Sequence, residues 1–318
     1  MRYLKGLLRA GEVILTLWLV TLASFFITSR LPSNEAETIC GTAPAGCVTA
    51  EEKVLYLNHA FFARYFHWLF DVLGGNLGLA AAPRQPIGQM LSQAYGTTLE
   101  LMIYSQIIAF AIAIPLAMWS ALRANGWFDR ISTAFSFGTL SLPAFILGPL
   151  LVLVFTLKLA WFPGPRPEPS LLSQPFTNLH IMFLPSFTLA IGSLAVYQRL
   201  LRADMISTLE EDFILMARAK GLSTGRILLR HALRPSTFTL LTVGGVQIAS
   251  LIQGAVLVEV IFDLNGLGSH LVFAATQDDL PTVQILVVII ALAFIALNAL
   301  VDQLYEVIDP RVRRARVV

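Results

Sequence analysis

A phosphate-cradling loop needs lysine directly after glycine and before serine or threonine. The four lysines, Lys5, Lys53, Lys158 and Lys220, follow Leu4, Glu52, Leu157 and Ala219. No Gly-Lys pair exists, so an ATP-driven activity would place its nucleotide on another chain. The histidines (His59, His67, His180, His231 and His270) lie in different segments, without a His-Glu-x-x-His arrangement. Cys40 and Cys47 are the only cysteines and form no Cys-x-x-Cys pair. The chain is therefore expected to have no catalytic residue, no metal site and no cofactor of its own. Cys40 and Cys47 fall outside the predicted spans, where an oxidising compartment would let them close a small loop.

Residues 210–234 have the richest patterning. Glu210, Glu211 and Asp212 precede an apolar-basic run and suit the positive end of a helix. Gly221 follows that run, and glycine takes the left-handed turn after a helix without steric cost. Asp212, Met216, Ala217, Ala219, Lys220 and Gly221 are candidates for a contact with a partner. Small Ala217 and Ala219 would let another surface approach the backbone. The pattern predicts two short helices broken at Gly221. Arg226, Arg230 and Arg234 would make a basic stripe on the second. An amphipathic pair lying on anionic headgroups also accounts for the stripe.

Further along, Gly244, Gln247, Ser250 and Gly254 project onto one face of a helix, at about 100° per residue. An amide there avoids lipid. Gln247, Ser250 and Gly254 are candidates for lining a solute path. Close helix packing through the small residues is the competing explanation. Glu259 and Asp263 are expected at a wet helix end near the outer side, a contact with a binding protein or a partner helix being the alternative.

These candidates sit among long charge-free stretches. The chain has 318 residues, a formal charge of +2, 13% charged residues and 56% hydrophobic residues. Its mean hydropathy is +0.71. A soluble domain carries about 25% charged residues. The composition excludes a disordered chain and points to an integral membrane protein in contact with lipid. The near-neutral charge argues against nucleic acid as a partner.

Six stretches nearly lack charge: Glu12 to Arg30, Glu100 to Arg123, Arg130 to Lys158, about Leu179 to Arg199, Arg234 to Glu259, and Asp279 to Asp302. Crossing the hydrocarbon takes about 20 helical residues. A β-barrel would need strands of about 10 residues with alternating polarity, which are missing. The first stretch, with Arg2, Lys5 and Arg9 ahead of it, reads as an uncleaved helix because no small-x-small cleavage site follows. With the N-terminus inside, sixteen Lys and Arg fall on the inner segments and six on the outer. Positive charge stays cytoplasmic, so both termini are expected there. The resulting organisation is a first helix and external loop over 1–94, a core of five spans over 95–306 with a cytoplasmic loop at 199–236, and a basic tail over 307–318. Aromatic-rich residues 59–70 are expected to lie in the outer interface, or else to help dock an external partner.

The core Ala217-Arg-Ala-Lys-Gly-Leu-Ser223, followed by Arg230-His-Ala-Leu-Arg234, resembles the cytoplasmic loop of ABC-importer permeases of the dipeptide, oligopeptide and nickel family. Leu215, Met216 and Ala217 fall on that loop's Glu-Ala-Ala positions, and Gly221 on its glycine. Gly74-Gly-Asn-Leu-Gly78, Leu142-Pro-Ala-Phe-Ile-Leu-Gly148, Asn265-Gly-Leu-Gly268 and Asp309-Pro-Arg311 are similar to further family segments, in the same order. The resemblance implies an all-α, six-span type I permease in a prokaryotic cell (inner) membrane. It implies a second homologous permease, two ATP-binding subunits that carry ATP and Mg, and an extracytoplasmic substrate-binding protein. The loop would then couple the ATPases to the helices, and the cargo would be peptides. Nickel or another small solute is the alternative cargo. An ATP-independent channel or scaffold is the alternative class.

Overall fold

The structure, a computed structural model, describes residues 2–30, 40, 46–49, 59–80, 84–169 and 171–308, with side chains described within 11–301. The tail from 309 and most of the external loop before His59 lie outside the described residues. Among these residues the regular structure is helical: α1 (Arg2–Thr28), α2 (Phe61–Leu73), α3 (Ile87–Leu122), α4 (Trp127–Leu140), α5 (Ala144–Lys158), α6 (Pro175–Leu209), α7 (Asp212–Ala219), α8 (Thr224–Phe262), α9 (Leu267–Thr276) and α10 (Leu280–Ile308). An isolated bridge joins Leu79 to Pro86. The chain divides into two compact units, 1–98 with 265–296 and 99–264 with 297–318.

Among the described residues five helices are long and apolar enough to cross a membrane: α1 over Gly11–Thr28, α3, α6, α8, and α10 over Leu280–Val301. Counting the bent pair α4 and α5 as one span makes the expected six. The third span, Arg130 to Lys158, holds Pro143 and Pro149, and the sequence predicts kinks there. The break falls at Pro143, where α4 and α5 meet at 107°. Pro143 explains the break, because it has no N–H and pushes Leu142 out of helical conformation. Pro143 is extended at the start of α5 (φ −61°, ψ 145°), while Ser141 and Leu142 close the end of α4 by bonding back to its last carbonyls. Pro115, Pro149 and Pro185 instead lie within helices.

In the first unit, Ile87, Met90 and Ala94 recur at helical spacing and bury against Leu267, Ile285 and Leu286. This packing extends α3 back to Ile87, into the expected 1–94 segment. Buried side-chain bonds join the elements: Gln284 Nε2 donates to Thr28 Oγ1 at 2.6 Å, and the Thr21 and Tyr65 hydroxyls lie 2.9 Å apart. Thr98 Oγ1 accepts from the Leu267 N–H at 3.0 Å, at the start of α9. Cys40 and Cys47 are bridged, with Cα atoms 6.0 Å apart.

In the second unit, Ala109, Ala113, Ala117 and Ala121 form a four-residue ridge on α3. Small side chains let helix backbones approach closely in lipid, where dispersion and hydrogen bonds hold helices together. Leu194, Tyr197, Leu201 and Met205 of α6 and Leu228, Ala232 and Leu240 of α8 fill the other side of this core.

Candidate functional site

Most of the expected loop at 199–236 is helical. α6 runs on to Leu209 and α8 starts at Thr224, leaving α7 between them. The second arm is not a separate short helix but the base of α8, because Ile227, Leu228 and Ala232 are buried. That base takes a π-helical turn over Ile227–Ala232 before the α-helix resumes. Such turns are uncommon and tend to occur at functional positions. Arg226, Arg230 and Arg234 all remain exposed along it.

α7 begins after extended Glu211, with Asp212 in its first turn. It ends as its sequence predicts, with Gly221 left-handed at φ +75°. The Leu222 N–H reaches back to the Ala217 carbonyl at 3.2 Å, and the Gly221 N–H to Arg218 at 2.9 Å. Ile214 and Ala217 are buried with Ile227, and Leu209 and Leu222 pack against them. Ala217 therefore does not offer its small side chain outward. The surface approaching it is the chain's own, because α7 needs an apolar stripe to hold it in place. The free face carries Phe213, Leu215 and Met216, the last 62% exposed. Asp212, Ala219, Lys220 and Gly221 are exposed as well.

On α8 the small residues act in packing. A Cβ at Gly244 would lie 3.1 Å from Phe110 Cζ, and one at Gly254 would lie 2.7 Å from Leu189 Cδ1. Ser250 is exposed and donates to the Gln247 carbonyl at 2.8 Å. Gln247 is half-buried. Glu259 is not at a wet helix end: it is fully buried. The left-handed cap at Asp263 (φ 54°) turns the chain one turn later, and the Leu264 N–H bonds back to the Glu259 carbonyl at 2.9 Å.

Sequence reasoning missed the polar ties between helices. Arg202 of α6 donates from Nε and Nη2 to buried Asp129 of α4, which also accepts from the Asn125 N–H at 2.8 Å. Gln198 donates to Ser132 at 3.0 Å and accepts from Ser136 at 2.8 Å. Tyr197 donates to Gln106 at 2.7 Å and stacks on Phe110. At the far end of α6, Asn178 donates to Glu100 and to the Pro169 carbonyl, each at 2.8 Å, and accepts from Tyr104. Polar residues in a span were the available signal, because such groups seek partners in lipid. Their partners, far away in sequence, were not readable. Among the described residues no three His, Cys, Asp or Glu side chains could jointly hold a metal ion.

A set of apolar spans joined by polar side-chain ties, with one short helix held between two of them, is the build of a multi-pass membrane protein. The chain belongs to the family of binding-protein-dependent transport system inner membrane components, which it matches over residues 113–314. It is 32% identical over 302 residues to the glutathione transport system permease protein GsiC of Escherichia coli (strain K12), covering 95% of this chain and 96% of that one. Its identity to the protein of the same name from Pectobacterium atrosepticum is 33%, with the same coverage. The fold is shared with a chain of the MetNI methionine ABC transporter in inward-facing conformations. That match has a TM-score of 0.55 and 15% identity, and covers 71% of this chain and 99% of the other. The protein is thus an inner-membrane ABC-importer permease subunit with the type I fold.

Proposed function

We propose that this chain forms half of an ATP-driven import path for small peptides, glutathione being the first candidate. The observation that carries this reading is the relation to glutathione permeases over 95% of the chain. Glutathione is itself a tripeptide, which fits the peptide cargo expected from the sequence. A second homologous permease completes the path. Two ATP-binding subunits supply nucleotide and Mg, consistent with the lack of a Gly-Lys pair here. An external binding protein delivers the cargo.

In this reading α7 is the coupling segment. Phe213, Leu215 and Met216 meet the ATPase, while Ile214 and Ala217 tie the helix to the base of α8. ATP binding then closes the ATPases and drives alternating access. Gln247 faces the path.

The test is uptake of radiolabelled glutathione and of unrelated di- and tripeptides by cells with and without the gene for this chain. Loss of glutathione uptake on deletion, with restoration from a plasmid, is the expected result. Unchanged uptake of every peptide tested would overturn the cargo assignment. Tagged protein extracted in mild detergent is expected to bring down two P-loop ATPases and a second six-span subunit.

A further inference from the structure

We infer that α2 is embedded in the outer leaflet of the bilayer, with Phe62, Phe66 and Phe70 against lipid acyl chains. The helix carries three faces. At about 100° per residue, Phe61, Tyr65, Trp68 and Val72 share one sector. Tyr65 is fully buried and the other three are half-buried. Phe62, Phe66, Phe70 and Leu73 share a second sector and are exposed, Phe70 at 68% and Leu73 at 74%. Arg64, His67 and Asp71 fill the narrow third sector. A helix resting on a protein surface in water needs one apolar stripe, not two. An exposed row of three phenylalanines and a leucine is a surface that water does not tolerate.

The depth of α2 comes from its contacts with α1. Phe25 of α1 meets the rings of Phe61, Tyr65 and Trp68, each at 5.6 Å between centroids. The Tyr65 hydroxyl bonds to Thr21, which lies two turns, or about 10 Å, inward from the end of α1 at Thr28. Gly11–Thr28 is the apolar stretch of α1 that spans the membrane. The Tyr65 side chain of α2 therefore reaches below the end of that span. Around it, α1 exposes Phe26 and Ile27, the latter at 62%. Phe26 meets the Phe61 ring at 5.8 Å and Phe61 meets Phe62 at 5.3 Å, so the exposed aromatic surface of α1 runs on into the first ring of the α2 row. Arg64 joins the same contact, its guanidinium lying 5.8 Å from the Phe25 ring.

The test uses nitroxide labels on Phe62→Cys, Phe66→Cys and Phe70→Cys, with His67→Cys and Asp71→Cys as the polar-face comparison. Labelling without reductant keeps the Cys40–Cys47 bridge closed. The full chain, co-purified with the subunits it binds, is reconstituted into phospholipid vesicles. Oxygen collects in the acyl region and a nickel chelate stays in water. Positions 62, 66 and 70 are expected to relax more with oxygen than with the chelate, and positions 67 and 71 in the reverse order. Chelate access at 66 would place α2 in water and overturn the proposal. Exclusion of both reagents at 62, 66 and 70 would mean that a protein covers the row, which would overturn it equally.

Discussion

Arg202 holds Asp129 with two nitrogens, Nη2 at 2.6 Å from Oδ2, and so fastens α4 to α6. The carboxylate is buried at 2% exposure, so its charge depends on this partner. Replacing Arg202→Ala leaves an uncompensated buried anion. The expected loss is about 2–3 kcal/mol, less than for a fully buried pair because Arg202 itself keeps some water. A lower inactivation temperature of the detergent-extracted subunit checks this. Adding Asp129→Asn to Arg202→Ala should recover part of the loss, because the unpaired charge goes with it.

Gly221 makes a sharper prediction. No atom lies within 4 Å of where its Cβ would be, so crowding is not the constraint. The constraint is φ +75°, which costs an ordinary L-residue roughly 1–2 kcal/mol. Gly221→Val should therefore disturb the end of α7 and uncouple ATP hydrolysis from uptake, while Gly221→Asn should keep both. Parallel ATPase and uptake rates in vesicles decide it. Equal behaviour of the two variants would remove backbone conformation as the reason for glycine.

Gly254 and Gln247 should separate in kinetics. Gly254→Val presses on Leu189 and should lower folded yield by overpacking, at about 1–3 kcal/mol. Gln247→Leu removes an amide from a half-buried site and should reduce uptake while assembly stays intact. Uptake normalised to assembled complex distinguishes the two. Normal uptake by Gln247→Leu would take that residue out of the path.

Tyr197 and Gln106 offer a test of a tie inside the bundle. The Gln106 Nε2 has no hydrogen-bond partner, so its Oε1 bond to Tyr197 anchors the amide. Tyr197→Phe should cost about 1 kcal/mol, the scale of interhelical hydrogen bonds in membranes. In a double-mutant cycle, adding Gln106→Leu should cost less on the Phe background than on the native one. Thermal inactivation of the four proteins supplies the cycle.

The spans were legible because hydrocarbon demands long uncharged runs, and a run such as Arg234 to Glu259 records that demand directly. The left-handed turn was legible at Gly221, since glycine at that place has one common conformation. The break in the third span was less so. Pro143 marks a kink but not its 107° angle, and the close approach of Gly148 to Ile261 of α8 is a tertiary contact that the sequence does not show. Glu259 was misread because a carboxylate near a helix end is usually solvated, and only tertiary packing reveals its burial. Ala217 was misread for a related reason. Side-chain size says how close a neighbour comes, not whether that neighbour belongs to another chain.

The small cluster of Ile214, Ala217 and Ile227 has a mechanical consequence. α7 has no slack relative to the first turns of α8. Under the proposed coupling, a push on Met216 would pass through the buried stripe to Ile227, the first residue of the π-helical turn Ile227–Ala232, rather than into a loose linker. The rest of that turn, where the backbone bonds are out of the α register, is the place for the chain to yield. A displacement entering at α7 under that coupling would leave as a tilt or twist of the fifth span, with the short helix acting as its crank.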